Sequence, residues 1–95
     1  MDKTIRALDR SIDVLEYLAS QNEEVRISEI GQALAMPSST LLRITHTLEQ
    51  RGLLVKHPLT GGFRLGPRLL YYSRSLLNTI DYRQVSRELM KKLRD

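Results

Sequence analysis

The chain has 95 residues but no cysteine, no tryptophan and a single phenylalanine. The absence of cysteine excludes disulfides and thiolate metal sites, and it fits a reducing compartment such as the cytoplasm. The two histidines cannot by themselves supply the ligands of a structural zinc site, so we expect no metal and no other cofactor. With so few large aromatic side chains, the core must be modest and built mainly from leucine and isoleucine.

Long apolar runs are missing as well. No stretch approaches the roughly 20 apolar residues that a membrane-spanning helix needs, and no signal peptide opens the chain, so we expect a soluble cytoplasmic protein without a membrane partner. The sequence also lacks a carboxylate pair in a plausible cleft, a phosphate-cradling glycine loop and a cluster of metal ligands. Gly61-Gly62 indicates a turn, and we do not expect an enzyme.

Residues 28–52 carry the pattern of two short helices joined by a tight turn. Ser28 can cap the start of the first helix. The apolar positions of that helix are Ile30, Ala33 and Leu34. Pro37 disfavours the helical conformation in the residue before it, so the chain must turn there, and Ser38 or Ser39 can cap the second helix. This pair is the outline of a helix-turn-helix, a geometry that DNA-binding domains share with small helical domains of other function.

The second helix of the pair, about residues 39–51, has one apolar stripe and one exposed face. The stripe consists of Leu41, Ile44 and Leu48, at three- and four-residue spacing. The side chains that point elsewhere are Ser39, Leu42, Arg43, His46, Thr47 and Gln50. Such a face suits a helix that enters the major groove of DNA, although an ordinary amphipathic helix also has a solvated outer side.

Two β-like runs follow within residues 53–65, separated by the turn-rich segment 58–62. Apolar and polar residues alternate in both runs, which predicts a hairpin. A helix-turn-helix followed by a two-stranded hairpin is a winged helix, so the predicted fold class is mostly α-helical with one small β-hairpin. Lys56, Arg64 and, just past the hairpin, Arg68 are placed to meet phosphates that flank the groove; the alternative is that they are solvated surface charges.

Three blocks of the sequence resemble the N-terminal DNA-binding domain of the IclR-type bacterial transcriptional regulators, over roughly residues 4–77. The blocks read RALDRSIDVLEYLA, ISEIGQALAMPSSTLLRITHTLEQRGLL and GGFRLGPRLL. Their most specific parts are the helix start Pro37-Ser38-Ser39-Thr40, with Arg43 behind it, and the wing exit Phe63-Arg64-Leu65-Gly66.

The resemblance implies a division of the chain into three segments. Residues 1–66 are expected to form the winged helix-turn-helix, 67–80 a linker and dimerisation helix, and 81–95 the start of a larger effector-sensing domain that this chain lacks. Proteins of the family dimerise or tetramerise, and a small effector would act only through the absent domain. The sequence leaves open whether the chain was cut at a domain boundary or is a natural stand-alone protein.

The chain departs from the family pattern at three positions. Ala35 stands where the turn usually has glycine, and a left-handed backbone there costs a residue with a Cβ roughly 1 kcal/mol. Gly31 stands where the family usually has alanine, with a similar loss of helix propensity. Ser38 replaces a residue that is often lysine, which removes one expected phosphate contact. We expect the fold to survive these changes and the affinity for DNA to be modest.

The predicted DNA contacts come from the second helix and the hairpin. They are Ser38, Ser39, Thr40, Leu42, Arg43, His46, Thr47, Lys56, Arg64 and Arg68. Arg43 is the first candidate for base readout, because a guanidinium can bind guanine O6 and N7 together; its alternative role is a phosphate contact. Ser39 and Thr40 can bond phosphate at the positive end of the helix or merely cap it. Leu42 and Thr47 could touch a thymine methyl, and His46 a base or a phosphate.

The first and the linker helices carry more apolar surface than one small core needs. In the helix from Thr4 to Ser20, the stripe is Ile5, Leu8, Ile12, Leu15 and Leu18 or Ala19, and Val14 and Tyr17 add an apolar edge outside it. Pro67 is suited to start the linker helix, which is broadly apolar. Since the family dimerises through these two helices, the expected dimer contacts are Val14, Tyr17, Leu70, Tyr71 and Leu77. The alternative is that the linker residues cover the missing domain.

The predicted function is a sequence-specific, DNA-binding transcriptional regulator. A two-fold dimer would read a palindromic or near-palindromic operator. The net charge of +4 favours a polyanionic partner, although many soluble proteins of other function would match it. The alternative is a winged-helix module whose exposed helix face docks a protein partner and which binds DNA weakly and without sequence preference.

Overall fold

The computed structural model describes residues 3–79 and 82–94, and within them the chain forms five helices and one antiparallel hairpin. The helices are α1 (Arg6–Ala19), α2 (Ile27–Leu34), α3 (Ser38–Gln50), α4 (Arg68–Thr79) and α5 (Tyr82–Arg94), and the strands are β1 (Leu54–Lys56) and β2 (Phe63–Leu65). This order confirms the predicted winged helix-turn-helix followed by a linker helix. None of the helices in the described ranges is long and apolar enough to cross a membrane.

The three segments predicted from the sequence have ends outside the described residues. The ranges 1–66, 67–80 and 81–95 begin or end on residues 1, 80, 81 and 95, which the structure does not describe. Within the described part, α4 and α5 fall in the second and third of these segments.

A small core lies where α1, α2, α3 and the hairpin meet. Its buried apolar side chains are Val14, Leu18, Val25, Ile30, Met36, Leu41, Ile44, Leu48, Leu54 and Phe63. Leucine and isoleucine supply most of them, as expected. The stripe predicted for α3 is confirmed as its buried side, and burying a leucine or isoleucine side chain contributes about 1.5–3 kcal/mol to folding. This burial fixes which side of α3 faces outward.

The hairpin is tied to the rest of the domain through its second strand. β1 and β2 pair so that Leu54 lies opposite Leu65, Val55 opposite Arg64 and Lys56 opposite Phe63. Phe63 also exchanges backbone hydrogen bonds with Val25, at 2.8 and 2.9 Å. β2 therefore lies between β1 and the segment that leads into α2, and both Phe63 and Val25 are buried. The base of the wing is part of the core.

The turn between α2 and α3 depends on a residue with left-handed backbone. Ala35 has φ 52° and ψ 46°, in the region that favours glycine. The N–H of Met36 donates to the carbonyl of Gly31 at 3.0 Å, which closes the end of α2 in the manner of a Schellman motif. Pro37, with φ −61° and ψ 146°, is the extended residue from which α3 starts. The cost anticipated at Ala35 therefore applies.

The predicted serine caps are wrong. The N-cap residue of α2 is Arg26 and that of α3 is Pro37, and neither makes a side-chain cap hydrogen bond. Ser28 is the second residue of α2, and Ser38 and Ser39 are the first two of α3. The reason at α3 is that the fixed φ of proline suits the position just before a helix, so the serines lie inside the first turn.

The predicted facing of α1 is wrong in its N-terminal half, whereas Leu18 of the predicted stripe is buried and Leu15 packs against the core. Val14 is 0% exposed and belongs to the core, whereas Ile5, Leu8 and Ile12 are 64, 60 and 50% exposed. The prediction that Val14 contributes to a dimer interface is therefore wrong. Tyr17 is half-buried and packs against the core. Because α1 has apolar side chains on both sides, helical periodicity alone could not decide which side meets α2, α3 and β2.

Gly66 joins the hairpin to α4 at a point that is too crowded for a side chain. Its N–H donates to the carbonyl of Leu53 at 2.8 Å, and the N–H of Arg68 donates to the carbonyl of Gly52 at 3.1 Å. A Cβ on Gly66 would clash with the carbonyl oxygen of Gly52. The end of α3, the base of the wing and the start of α4 are thus held together at one contact between two glycines.

We expect Ala35→Gly to stabilise the chain by up to about 1 kcal/mol, because glycine avoids the cost of the left-handed conformation but loses more freedom on folding. Urea unfolding followed by circular dichroism measures the change. Ala33→Gly is the matched control: Ala33 lies inside α2, where glycine should cost about 0.5–1 kcal/mol. A less stable Ala35→Gly chain would contradict the assigned role of this residue.

Gly66→Ala should lower the free energy of unfolding by about 1–3 kcal/mol, because the added methyl forces the backbones of residues 52 and 66 apart. Gly31→Ala provides the comparison. A Cβ there lies 3.4 Å from Leu41 Cδ2, an ordinary contact, so the higher helix propensity of alanine should stabilise the chain by up to about 1 kcal/mol. Equal unfolding midpoints for Gly66→Ala and Gly31→Ala would contradict the close contact between Gly52 and Gly66.

Candidate nucleic-acid interface

α3 presents an exposed face on the side opposite the core. The side chains that are exposed on it are Ser38, Ser39, Leu42, Arg43, His46, Thr47 and Gln50. Thr40 is half-buried at its edge. All but Gln50 belong to the predicted DNA-binding set, and the structure brings them together on one helix. The face combines a guanidinium, an imidazole, hydroxyls and apolar groups within four turns.

Arg43 lies in the middle of this face. Ser39 is four residues before it and Thr47 four residues after it, which places the three on one line along the helix. The hydroxyl of Thr47 donates to the carbonyl of Arg43 at 2.8 Å. Since that hydroxyl is engaged within the helix, the methyl group of Thr47 is the part of the side chain suited to an outside contact. This suits the predicted approach to a thymine methyl.

The start of α3 is open to an anion. The first backbone N–H groups of a helix have no acceptor within it, and together with the helix dipole they favour negative charge. The first turn of α3 has no acidic residue to neutralise that charge. Ser39 and Thr40 lie in this turn, so their hydroxyls and the backbone N–H groups approach the same region. The arrangement is suited to a phosphate oxygen.

The two cations of the hairpin lie on opposite faces of it. Lys56 is opposite the buried Phe63, and its Nζ lies 5.9 Å from the centroid of that ring. Arg64 is opposite Val55 and points to the other face, where it lines a cavity together with Glu23 and Glu24. Successive residues of a strand alternate between its faces, which is why the two side chains diverge. The structure therefore does not bring Lys56 and Arg64 together.

Arg68 is also separate from the face of α3. Its Cζ lies 4.1 Å from the ring centroid of Tyr71 and 5.6 Å from that of Tyr72. Its backbone N–H is bonded to Gly52, beyond the C-terminal end of α3. A cation above an aromatic ring at an exposed site is worth about 0.5–1 kcal/mol, so the stack helps to order the first turn of α4. The geometry groups Arg68 with the linker helix.

One neighbour of the α3 face was missed by sequence reasoning. A cavity of about 330 Å³ between α1 and α3 is lined by Ala7, Leu8, Ser11, Thr40, Arg43, Ile44 and Thr47. The exposed stripe of α1, Ile5, Leu8 and Ile12, therefore borders the exposed face of α3 at Leu8. The three- and four-residue spacing of that stripe was the available signal, but spacing alone does not show which neighbour the stripe meets.

The linker helix leaves its apolar side chains open. In the described structure no residue of α4 is buried, and Leu70, Tyr71 and Leu77 are 74, 53 and 38% exposed. Three of the five predicted dimer residues are therefore on an exposed helix, whereas Val14 is in the core. Among the described residues, α4 and the outer stripe of α1 both leave large apolar side chains in solvent, as do the wing at Leu59 and α5 at Leu93.

Comparison with known sequences agrees with this geometry. The family model of the IclR helix-turn-helix domain matches residues 7–58. The chain is 27% identical over 89 residues to the HTH-type transcriptional regulator XynR of Escherichia coli K12, which covers 94% of this chain and 35% of that protein. It is 30% identical over 89 residues to the HTH-type transcriptional regulator BhcR of Paracoccus denitrificans, covering 94% of this chain and 32% of that protein. The chain thus spans about a third of the length of these curated relatives.

Solved structures give the same result for the fold. The crystal structure of an IclR family transcriptional regulator from Brucella abortus matches with a TM-score of 0.76 and 29% identity, over 98% of this chain and 36% of that one. The repressor BlcR of Agobacterium tumefaciens has the same fold, with a TM-score of 0.76 at 24% identity over 84% of this chain and 32% of that one. The matched helices and hairpin are those that build the exposed face of α3, and the chain belongs to the IclR helix-turn-helix domain family of DNA-binding transcriptional regulators.

Proposed function

We propose that this chain is the DNA-reading part of a transcriptional regulator and that it recognises a specific operator with α3 in the major groove. The observation that carries the proposal is the exposed face of α3, with Arg43 at its centre and its opposite side fixed in the core. One α-helix fits the major groove, and the groups on this face are those that distinguish base edges there. The proposal assigns the chain no catalytic activity and places it with DNA in the cytoplasm.

Within this arrangement Arg43 reads a base and the start of α3 holds the backbone. A central, exposed guanidinium can reach guanine O6 and N7, whereas Ser39 and Thr40 lie where the helix meets the phosphate ridge. Lys56 adds a phosphate contact from the wing. Arg64, which lines a cavity with the carboxylates Glu23 and Glu24 on the other face of the hairpin, and Arg68, which stacks on Tyr71, contribute less.

We further propose that the chain acts as a homodimer through the outer stripe of α1 and the exposed side of α4. Leu8 and Ile12 on α1, and Leu70 and Leu77 on α4, are large apolar side chains that the single chain leaves exposed. Burial of such patches drives association. A two-fold dimer places two α3 helices about 34 Å apart, which matches an inverted repeat in the operator. Any small-molecule effector would act through a region outside these 95 residues.

Selection of the purified chain against a random duplex library at physiological salt tests the proposal. Enrichment of an inverted repeat is the expected result. Enrichment of a sequence without two-fold symmetry would support specific recognition of DNA but contradict the proposed dimer. If no sequence is enriched, the proposal is rejected, and a module that binds a protein partner through the face of α3 is favoured.

Arg43→Ala should abolish the preference at one base pair of the selected site, at a cost of about 1–3 kcal/mol in binding, because a bidentate contact to guanine is lost. Fluorescence anisotropy with operator variants at several salt concentrations measures both affinity and salt dependence. Arg87→Ala is the matched control, since Arg87 is an exposed arginine on α5, outside α3 and the hairpin. Uniform weakening of all sites, with the salt slope reduced by about 0.9, would reassign Arg43 to a phosphate, and unchanged binding would remove it from the interface.

Ile12→Lys should weaken dimerisation by at least about tenfold, since it places a charge in the apolar contact of α1 and a tenfold change corresponds to about 1.4 kcal/mol. Analytical ultracentrifugation over a concentration series measures the dissociation constant. Ile12 is 50% exposed in the single chain, so the domain itself should fold normally. Arg6→Ser, on an exposed position of α1 away from the stripe, is the control. An Ile12→Lys chain that dimerises like the unsubstituted one would contradict this interface.

A further inference from the structure

The tip of the wing, residues 57–62, uses its backbone N–H groups within the loop itself. Pro58 has no N–H, and each of the other residues donates to an acceptor in the tip. His57 donates to the carbonyl of Gly62 at 2.8 Å, Leu59 and Thr60 to Nδ1 of His57 at 3.1 and 3.2 Å, Gly61 to the carbonyl of His57 at 2.9 Å, and Gly62 to Oγ1 of Thr60 at 3.2 Å. The tip is therefore ordered before it meets any partner, and it has no backbone donor left for a phosphate.

The charge around the tip also disfavours a phosphate contact at its apex. The hydroxyl of Thr60 donates to Oε1 of Glu24 at 3.5 Å, which places a carboxylate beside the loop. Lys56 precedes the tip; its Cε lies 3.9 Å from the Cβ position of Gly61, and its Nζ lies 5.9 Å from the centroid of the Phe63 ring. Positive charge therefore lies at the base of the tip, and the apex has none.

What the apex does present is an apolar side chain. Leu59 is 89% exposed, more than any other large apolar residue in the described part of the chain. A single exposed leucine is ordinary on a protein surface. This one differs because a rigid loop without free backbone donors holds it at the end of a hairpin. Little conformational freedom of the backbone is left to lose when Leu59 is buried against a partner.

The position of the tip follows from the connection between α3 and β1. Residues 51–53 alone separate them, and β1 packs on α3, so the strand runs back beside the helix. The tip lies at the end of the hairpin opposite the joint at Gly66. With α3 in a major groove, a hairpin that runs along the helix crosses the adjacent phosphate ridge, which Lys56 can contact, and its apex reaches the minor groove beyond.

We propose that Leu59 enters this minor groove as an apolar wedge, packs against the sugar walls and partly opens the base step beneath it. The inference rests on the proposed function and adds a second contact to it. Apolar side chains that enter the minor groove unstack a base step and bend the duplex toward the major groove. Pyrimidine–purine steps open most easily, so the wing selects a flexible step at a position where it makes no hydrogen bond to a base.

Leu59→Ala, compared with Leu93→Ala on α5, tests the wedge. Both changes remove the same atoms from exposed leucines, 89 and 73% exposed, so the fold should be kept and circular dichroism checks that it is. Each chain is titrated against the selected operator with a TA step or a GG step placed at successive flanking positions. Fluorescence energy transfer between the duplex ends reports the bend.

The unsubstituted chain and Leu93→Ala should bind the duplex with the TA step about tenfold more tightly at one flanking position, whereas Leu59→Ala should bind both duplexes alike and bend them less. The salt slope should be the same for all three chains, because Leu59 releases no counterion. A Leu59→Ala chain that keeps the flank preference and the bend overturns the inference whatever its affinity. Failure of the unsubstituted chain to select any operator rejects the proposed function itself and the wedge with it.

Discussion

The surface that this domain can offer to DNA depends on the rotation of α3 about its own axis. Leu41, Ile44 and Leu48 hold one side of the helix in the core. Thr45 is buried on the same side, where its hydroxyl donates to the carbonyl of Leu41 at 2.9 Å, so that it adds no unsatisfied polar group. A shift of one residue would turn the helix by about 100° and replace Arg43 on the outer face by a core residue. The small core thus also decides which residues of α3 face outward.

The sequence was most informative where a pattern had a single physical solution. The stripe of α3 leaves one way to bury it, and Pro37 leaves one place for the turn. The facing of α1 was predicted correctly for Leu15 and Leu18 only. The helix is apolar on two sides, and the choice between Val14 and Ile12 is made by α2, α3 and β2, which no local pattern encodes. The opposed directions of Lys56 and Arg64 could not be predicted without the register of the two strands. The first residues of α2 and α3 could not be predicted because they depend on the backbone conformation at Arg26 and Pro37.

The molecule has a polar surface on α3 and apolar surfaces on α1 and α4. The small core, with its single phenylalanine, takes up only some of the apolar side chains, and the remaining ones on α1 and α4 stay in solvent. Such surface is what the proposed dimer would bury. In the proposed complex the polar face of α3 meets nucleic acid and the apolar faces of α1 and α4 meet a second chain, with Leu8 at the boundary between the two surfaces.

The contact between Gly52 and Gly66 has a mechanical consequence. Because the carbonyl of Gly52 accepts from Arg68 and leaves no room for a Cβ on Gly66, the first residue of α4 is tied to the loop that follows α3. The direction in which α4 leaves the winged helix is therefore set at the same contact that joins α3 to the hairpin. If two chains associate through α4, as proposed, a change in the angle between the two α4 helices would change the distance between the two α3 helices without altering either winged helix. That angle would then set the spacing of the half-sites in the operator.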